Sequence, residues 1–418
     1  MPSTLSPKAA ADIRELVDQA CKDQYACLPC ATVVVVGKGE NSAPAELFVH
    51  SARMGDQNIQ GKPDRDDIHW LASCTKLITG IACMQLVEHG KLRLDDSEMV
   101  EKLCPELVDV KVLQDDGSLV EKRRPITLRM LLTHTAGFGY SFLNPKLQAY
   151  ARQNIVGQAQ YDEFSGSVFD FHQPLVNQPG EQFEYGINVD WAGIMVERIT
   201  GLKLNDYMQQ HIFAPLGTEN VSMFPSSSMK ERLIGLWQRG ENGKLARRAY
   251  PVQESLNAKS GAHAFHSGGA GLFGSIREFS KTLATLLNDG ISPQTGKTLL
   301  SPESIREMFT NQIPQHPDFA RRHLPAVKPE LVNPADELYP LCPPHRAQGW
   351  GLTFMLSPGT TGRSNTTAQW SGLSNVFWWC DREKGIAGIV ASQELPFVNP
   401  QTVKLWADVE AKVYNGLC

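Results

Sequence analysis

The chain has 418 residues, of which 42% are hydrophobic, 20% charged and 8% aromatic. At roughly 150 residues per domain, that length gives two to three domains' worth of chain with apolar residues enough for a large core. Forty Lys and Arg against 45 Asp and Glu leave a formal charge of −5, so no basic field draws the chain to nucleic acid or acidic lipid. The composition is also far from that of a disordered or collagen-like chain. The longest apolar runs, such as 31–36, fall well short of the ~20 residues that span a bilayer.

The first residues are polar and then charged (Lys8, Asp12, Arg14, Glu15), without the apolar run of a secretory signal. The expectation is a cytoplasmic protein whose nine scattered cysteines are reduced thiols. The sequons at Asn220 and Asn365 are then chance matches.

Ser6 and Pro7 supply an N-cap and a first helical residue. Ala10, Ile13, Leu16, Val17 and Ala20 follow at helical spacing, which predicts an amphipathic helix to about residue 21. The β-branched run 32–36, between Pro29 and Gly37, predicts a strand, and 46–52 a second one. From about 73 to 310 helical patterns dominate, at 76–88, 127–132, 189–200, 204–212 and 276–287. Eight prolines crowd 313–346, which excludes a regular element there and predicts a long ordered loop or lid margin. Further on, 375–380 and 385–391 are apolar runs joined by Asp-Arg-Glu-Lys, a predicted antiparallel hairpin. Asn399 and Pro400 then cap a last helix carrying Val403, Leu405, Trp406, Val409 and Val413. Helix-plus-strand pieces at both ends predict one sheet domain made of 1–72 and 347–418, with a mostly helical domain, 73–346, inserted between them.

Three segments carry candidate chemistry. Ser73-Cys-Thr-Lys76 opens an apolar helix, and residues three apart share a face, so the Lys76 amine can reach the Ser73 hydroxyl. A serine hydroxyl is a poor nucleophile without a base, and a lysine held against apolar walls gives up its proton more readily. The helix N-terminus also aims backbone N–H groups at a developing oxyanion. Tyr185-Gly-Ile-Asn188 precedes the next predicted helix, where a tyrosine hydroxyl can shuttle a proton. Trp370-Ser-Gly372-Leu373 leads into the terminal hairpin, where an edge strand with a glycine can offer a second N–H. Each segment alone also suits a capping serine, a half-buried core tyrosine or a tight turn.

Taken in this order, the three segments resemble the serine β-lactamase and penicillin-binding-protein superfamily. Its class A members carry S-x-x-K, S-D-N and K-T-G; here tyrosine stands in the second motif and Trp-Ser-Gly in the third. That pattern is similar to the class C-like esterases, and closer still to fungal lovastatin-type acyltransferases. The resemblance extends through Ile126–Gly137, Asp190–Gly201, Pro215-Leu-Gly217 and Gly268–Gly274. It implies a β-lactamase-like α/β fold, with an antiparallel sheet flanked by helices and an inserted mostly helical domain.

The resemblance also implies roles. Ser73 would be the acylated nucleophile, Lys76 its general base and Tyr185 the proton shuttle. Asn188 would hold the substrate or Lys76, and the N–H groups of Ser73 and Leu373, beside Gly372, would form the oxyanion hole. Trp370 replaces the lysine that binds a substrate carboxylate in β-lactam-recognising members and suggests an apolar acyl or acceptor group. Trp70 either lines the same pocket or is a core aromatic.

The implied activity is acyl transfer from a thioester or ester donor, through acyl-Ser73, to a hydroxyl of a small natural-product acceptor. An acyl carrier protein is one possible donor, and no cofactor or metal is called for. Alternatives are a carboxylesterase with the same site, a β-lactamase or D-amino peptidase, and a non-catalytic scaffold. Gly269-Ala-Gly271-Leu-Phe-Gly274 matches G-x-G-x-x-G but follows a loop rather than a strand, so it is read as close backbone packing beside the site. Cys27-Leu-Pro-Cys30 runs into a strand and has no second pair, which argues against redox or zinc chemistry. His263 and His266 lack a third ligand, and His134 is expected to be structural.

Overall fold

The computed structural model describes residues 4–22, 27–39, 46–54, 66–154, 161–257, 264–335 and 342–418. Ser6 accepts the Ala9 N–H and starts helix α1 (Pro7–Ala20). Strands β1 (Cys30–Gly37) and β2 (Glu46–Arg53) follow. They join strands from the other end of the chain: β3 (Gly349–Trp350), β4 (Met355–Leu356), β5 (Ala368–Gly372), β6 (Val376–Asp381) and β7 (Ile386–Ala391). The result is a seven-stranded sheet in the order β3-β4-β5-β6-β7-β1-β2, antiparallel at every pairing.

Every residue of β1, β6 and β7 is buried, so both faces of the sheet's centre are covered, and the Val33–Val36 run reads as continuous rather than alternating for that reason. Helix α1 packs on the C-terminal helix, here α5 (Pro400–Asn415), and the pair lies against β1, β2 and β7. Phe377 of β6 stacks on Trp406 of α5 with ring centroids 4.7 Å apart. Helix α4 (Ile276–Leu287) covers β1, β6 and β7.

Between the sheet halves run α2 (Thr75–Glu88), buried on all sides from Thr75 to Leu86, and α3 (Asn188–Thr200), which packs on it. A helix apolar all round belongs at the centre of a core. The expected strands and helices are present with ends shifted by a residue or two, the usual fraying of boundaries. The exception is 204–212, which is α-helical over Leu204–Met208 and widens into a π turn over Gln209–Phe213.

Three small sheets among the described residues have no counterpart in the sequence expectations, the smallest being the pair Val112–Leu113 and Leu119–Val120. Ile68–Trp70, Phe273–Ser275 and Val221–Ser222 form another, and Leu236–Arg239, Leu245–Arg248 and Glu394–Leu395 the third. Segments of two to four residues are too short to show a period. The described part of the proline-rich stretch 313–346 holds no helix or strand, only the bridge Leu324–Ala335 and the backbone pairing of Leu331 and Asn333 with Phe397. No helix among the described residues is long and apolar enough to cross a membrane.

Among the described residues the pair Arg363–Glu410 lies entirely inside. Arg363 Nε donates to Glu410 Oε1 at 2.6 Å and Arg363 Nη2 to Glu410 Oε2, both side chains fully shielded. This ties the approach to β5 onto α5. Replacing Glu410 with Leu leaves a buried guanidinium without its carboxylate and is expected to cost about 3–5 kcal/mol. The measurement is the denaturant midpoint; an unchanged midpoint would mean that the pair adds nothing to stability.

Candidate active site

The candidate nucleophile sits on a turn held from several sides. The strand Ile68–Trp70 pairs with Phe273–Ser275 and runs into a single 3₁₀ turn, Ala72–Cys74, before α2 begins. Ala72 has φ +45°, a left-handed conformation that costs a residue with a Cβ roughly 1–2 kcal/mol. Its carbonyl accepts the Thr75 hydroxyl at 2.6 Å, and that hydroxyl oxygen takes the Leu272 N–H at 3.0 Å. Leu71 N–H donates to the Leu272 carbonyl at 2.9 Å. The buried Gln393 grips the preceding residue: its Oε1 accepts Trp70 N–H at 3.1 Å, and its Nε2 donates to the Trp70 carbonyl at 3.2 Å. Ser374 Oγ donates to that same carbonyl at 2.7 Å.

Gly372 explains why the third segment needs a glycine. A Cβ there would lie 2.3 Å from the Leu71 carbonyl oxygen. Its absence lets β5 press against the nucleophile turn and brings Leu373 to the wall of the cavity above Ser73. The sequence suggested an edge strand at this point. Instead β5 lies between β4 and β6, but β4 pairs only with Ala368 and Gln369, so the Trp370–Gly372 half carries sheet bonds only toward β6.

Lys76 is fully buried. Its Nζ donates to Ser73 Oγ at 3.1 Å, Tyr140 Oη at 3.0 Å and the Gly269 carbonyl at 2.9 Å. Three acceptors match the three donors of an ammonium; with one proton gone, the lone pair can face the Ser73 hydroxyl. The nitrogen also lies over the rings of Tyr185 and Tyr140, 4.7 and 5.2 Å from their centroids, positions that favour a cation.

Tyr185 reaches the cavity because Gly186 follows it. A Cβ at Gly186 would meet the Phe138 carbonyl at 2.3 Å, so only glycine lets this loop lie down on 138–139. The Tyr185 oxygen accepts the Trp370 indole N–H at 3.1 Å, leaving its own O–H to be given elsewhere. Trp370 is wedged edge-on between Tyr185 and Trp350, with ring centroids 4.9 and 4.6 Å away.

Asn188 is buried, and its amide is committed to the loop: Nδ2 donates to His134 Nδ1 and the Phe138 carbonyl at 3.0 Å, and to the Glu184 carbonyl at 3.2 Å. The carbonyl partners fix the amide's orientation. No hydrogen bond joins it to Lys76 among the described residues, and it does not line the cavity. His134 Nδ1 also accepts the Gly186 N–H at 3.3 Å, which puts the ring proton on Nε2. Burial and the nearby Lys76 charge hold its pKa well below the ordinary histidine value, so it stays neutral and supports the Tyr185 loop. Trp70 does not line the cavity either; its indole donates to the Ala270 carbonyl at 2.9 Å and its ring backs edge-on against Phe164, which does line it.

Above Ser73 lies a narrow recess walled by Phe142, Leu143, Phe164, Leu324, Val332, Leu373 and Phe397. Its polar lining comes from Ser73, Tyr140, Tyr185, Trp370 and Ser371. Such an apolar recess with a few convergent polar groups is the usual form of a small-molecule site.

Tyr140 was not picked out from the sequence. It lies in the Phe138-Gly-Tyr-Ser stretch with no spacing to mark it, and burial holds its phenol well above the usual range. The set-aside glycine run proves to be backbone packing: Gly268 and Gly269 approach α3 where a Cβ would collide with the Val189 carbonyl and the Asp190 carboxylate. The run passes from a turn into the strand Phe273–Ser275. Cys30 starts β1, where burial pushes its thiol up to about 12, and Cys27 Sγ lies 3.5 Å from Met54 Sδ; no reactive thiolate is built there. His263 lies outside the described residues, while His266 Nδ1 accepts the Asn205 N–H at 3.2 Å. Among the described residues no cluster of His, Cys, Asp and Glu suits a metal.

A profile of the β-lactamase family matches residues 17–332. A lovastatin esterase of Penicillium rubens is 33% identical over 380 residues, covering 87% of this chain and 89% of its own. A monacolin J acid methylbutanoyltransferase of Aspergillus terreus is 33% identical over 358 residues, covering 82% of this chain and 81% of its own. Unliganded simvastatin synthase from Aspergillus terreus superposes with a TM-score of 0.78 at 27% identity, with 98% of each chain covered. A hydrolase with promiscuous acyltransferase activity superposes with a TM-score of 0.72 at 17% identity, over 97% of this chain and 99% of its own, a likeness of fold alone. On sequence and fold together, the chain belongs to the β-lactamase family.

Proposed function

We propose that the protein is a serine acyltransferase that moves an acyl group from a thioester or ester donor, through acyl-Ser73, to a hydroxyl of a small natural-product acceptor. The observation that carries this reading is the 3.1 Å hydrogen bond between Lys76 and Ser73 on the floor of an apolar cavity. Acyltransferases and an esterase among the relatives support it.

In the forward half-reaction Lys76 takes the Ser73 proton as Oγ bonds to the donor carbonyl carbon. The backbone N–H groups of Ser73 and Leu373 receive the oxyanion, worth about 10²–10³ in rate for each donor. Collapse breaks the carbonyl–sulfur or carbonyl–oxygen bond, and Tyr185 gives its proton to the leaving group and recovers one from Lys76. The acceptor hydroxyl then enters, loses its proton along the same route and takes the acyl group, which makes the kinetics ping-pong. The aromatic walls suit an uncharged, branched or cyclic partner. Trp370, donating to Tyr185, stands where a carboxylate-binding lysine would make a β-lactamase or D-amino peptidase. We assign the reaction to the cytoplasm, with a carrier-protein thioester as one donor. Hydrolysis through the same intermediate is the second reading, favoured by the esterase relative.

Intact-protein mass spectrometry with a panel of acyl thioesters tests this. An adduct of one acyl mass is expected on the wild type and not on Ser73→Ala; equal labelling of both would sink the assignment. Faster decay of the adduct with added alcohols, with ester product, marks a transferase, whereas decay indifferent to alcohols marks an esterase. Tyr140→Phe removes one Lys76 partner and is expected to slow acylation about 10–100-fold, the worth of one charge-assisted hydrogen bond; a rate within twofold of wild type would remove Tyr140 from the machinery. Gly372→Ala drives β5 off the turn and is expected to cost about 10²–10³ in acylation rate, with native circular dichroism retained; undiminished acylation would separate β5 from the oxyanion.

A further inference from the structure

Behind Lys76 lies a carboxylate for which the steps above have no use. Asp190, in the first turn of α3, is 1% exposed. Its Oδ1 accepts the Gly269 N–H at 2.9 Å and the Ser267 hydroxyl at 2.6 Å. Gly269 then offers its carbonyl to Lys76 at 2.9 Å. The carboxylate occupies the space that a side chain at 269 would need, since a Cβ there would stand 2.3 Å from Oδ2.

Resting on the reading of Lys76 as the base, we propose that Asp190 is a positioning residue that fixes the Gly269 carbonyl against Lys76 and sets the charge balance under which the lysine exchanges its proton with Ser73. Burying a carboxylate is costly unless something answers its charge. Here two hydrogen bonds and the Lys76 cation do so, and they work against the desolvation that raises the Asp190 pKa.

The other titratable groups facing Lys76 come from four segments. Cys74 and Tyr140 are driven by burial toward their protonated neutral forms, and His134 toward its neutral form. Tyr185 contributes its ring face. Glu163, the second buried carboxylate of the neighbourhood, is answered by Ser141 and Gln173 and acts on Tyr140. Asp190 is therefore the anion whose removal changes the field at Lys76 while leaving the cavity wall intact.

The sign follows from Coulomb's law: a nearby anion favours the ammonium, and the base works as the amine. Asp190→Asn keeps an oxygen for Gly269 and Ser267 but drops the charge. The acid limb of the pH profile for acylation by an acyl thioester is expected to move to lower pH, by about one unit. The plateau rate is expected to fall about tenfold as the Gly269 carbonyl loosens. A merely structural aspartate would lower the melting temperature or the amount of active protein without moving the limb, so a limb that stays in place overturns the proposal.

Should Asp190→Asn fail to fold, Ser267→Ala carries the test. It keeps the charge and removes one hydrogen bond orienting it, and is expected to slow acylation several-fold with the limb near the wild-type position; an unchanged rate overturns the proposal. Failure of the wild type itself to form an acyl adduct overturns the assignment of Ser73 and Lys76, and this inference with it. A wild type that acylates normally beside an unshifted Asp190→Asn overturns the inference alone.

Discussion

The carbonyl of Leu71 stands where a side chain at residue 372 would be, and the rest of the site depends on that close approach. At that point the central sheet meets the start of the buried helix α2 backbone to backbone, and the side chains of Ser374 and Gln393 tie the two together alongside. Everything that presents Ser73 is organised around it: the left-handed Ala72, the Thr75 hydroxyl that receives and returns hydrogen bonds across the turn, and the Gln393 amide that holds both polar groups of Trp70. Strain at one residue persists because its surroundings over-determine it. Sheet and turn thereby keep a fixed distance, which the oxyanion hole proposed for Ser73 and Leu373 would require.

The second constraint is electrostatic. A lysine out of contact with water is tolerated only when its donors find acceptors. Lys76 draws these from the turn at 73, the loop at 140 and the glycine run at 269, three segments far apart in the chain. The charge that equips the site for chemistry therefore also demands that these segments arrive together. Glycines at 186 and 269 answer the same demand sterically: the first lets its loop lie against the backbone of 138–139, and the second leaves room for the Asp190 carboxylate.

Legibility in the sequence divides along physical lines. Long periodic segments such as 276–287 and 400–415 could be read with their ends, because an amphipathic face and an N-cap are local properties. Ser73 and Lys76 could be paired because three residues along a helix bring side chains together whatever the tertiary fold. The remaining partners of Lys76 could not be found that way. Tyr140 and Gly269 meet it, and Asp190 stands behind Gly269, through packing between distant segments, which has no period; an aspartate inside Val189-Asp-Trp-Ala-Gly-Ile is nevertheless a polar residue on an apolar helix and thus a signal in its own right. Asn188 fitted a motif by spacing, yet its amide is spent on His134 and two carbonyls. Trp70 was open between wall and core, and its indole bond to Ala270 places it behind the wall. The strands Ile68–Trp70, Val221–Ser222 and Phe273–Ser275 emerge only when distant segments are brought side by side.

The cavity divides its parentage. Its floor comes from α2, its entry turn and the loops locked to them, whereas Leu324, Val332 and Phe397 come from the proline-rich stretch and the segment joined to it through Asn333 and Leu331. Among the described residues no hydrogen bond joins that upper part to Lys76 or the turn at 71–74, so substitution there reshapes the recess while leaving the hydrogen bonds around Ser73 and Lys76 in place. Its many prolines keep the stretch from recruiting into the neighbouring sheet whatever side chains it acquires. The shape of the recess and the hydrogen-bond network beneath it are thus separately adjustable, the first at Leu324, Val332 and Phe397, the second around Lys76.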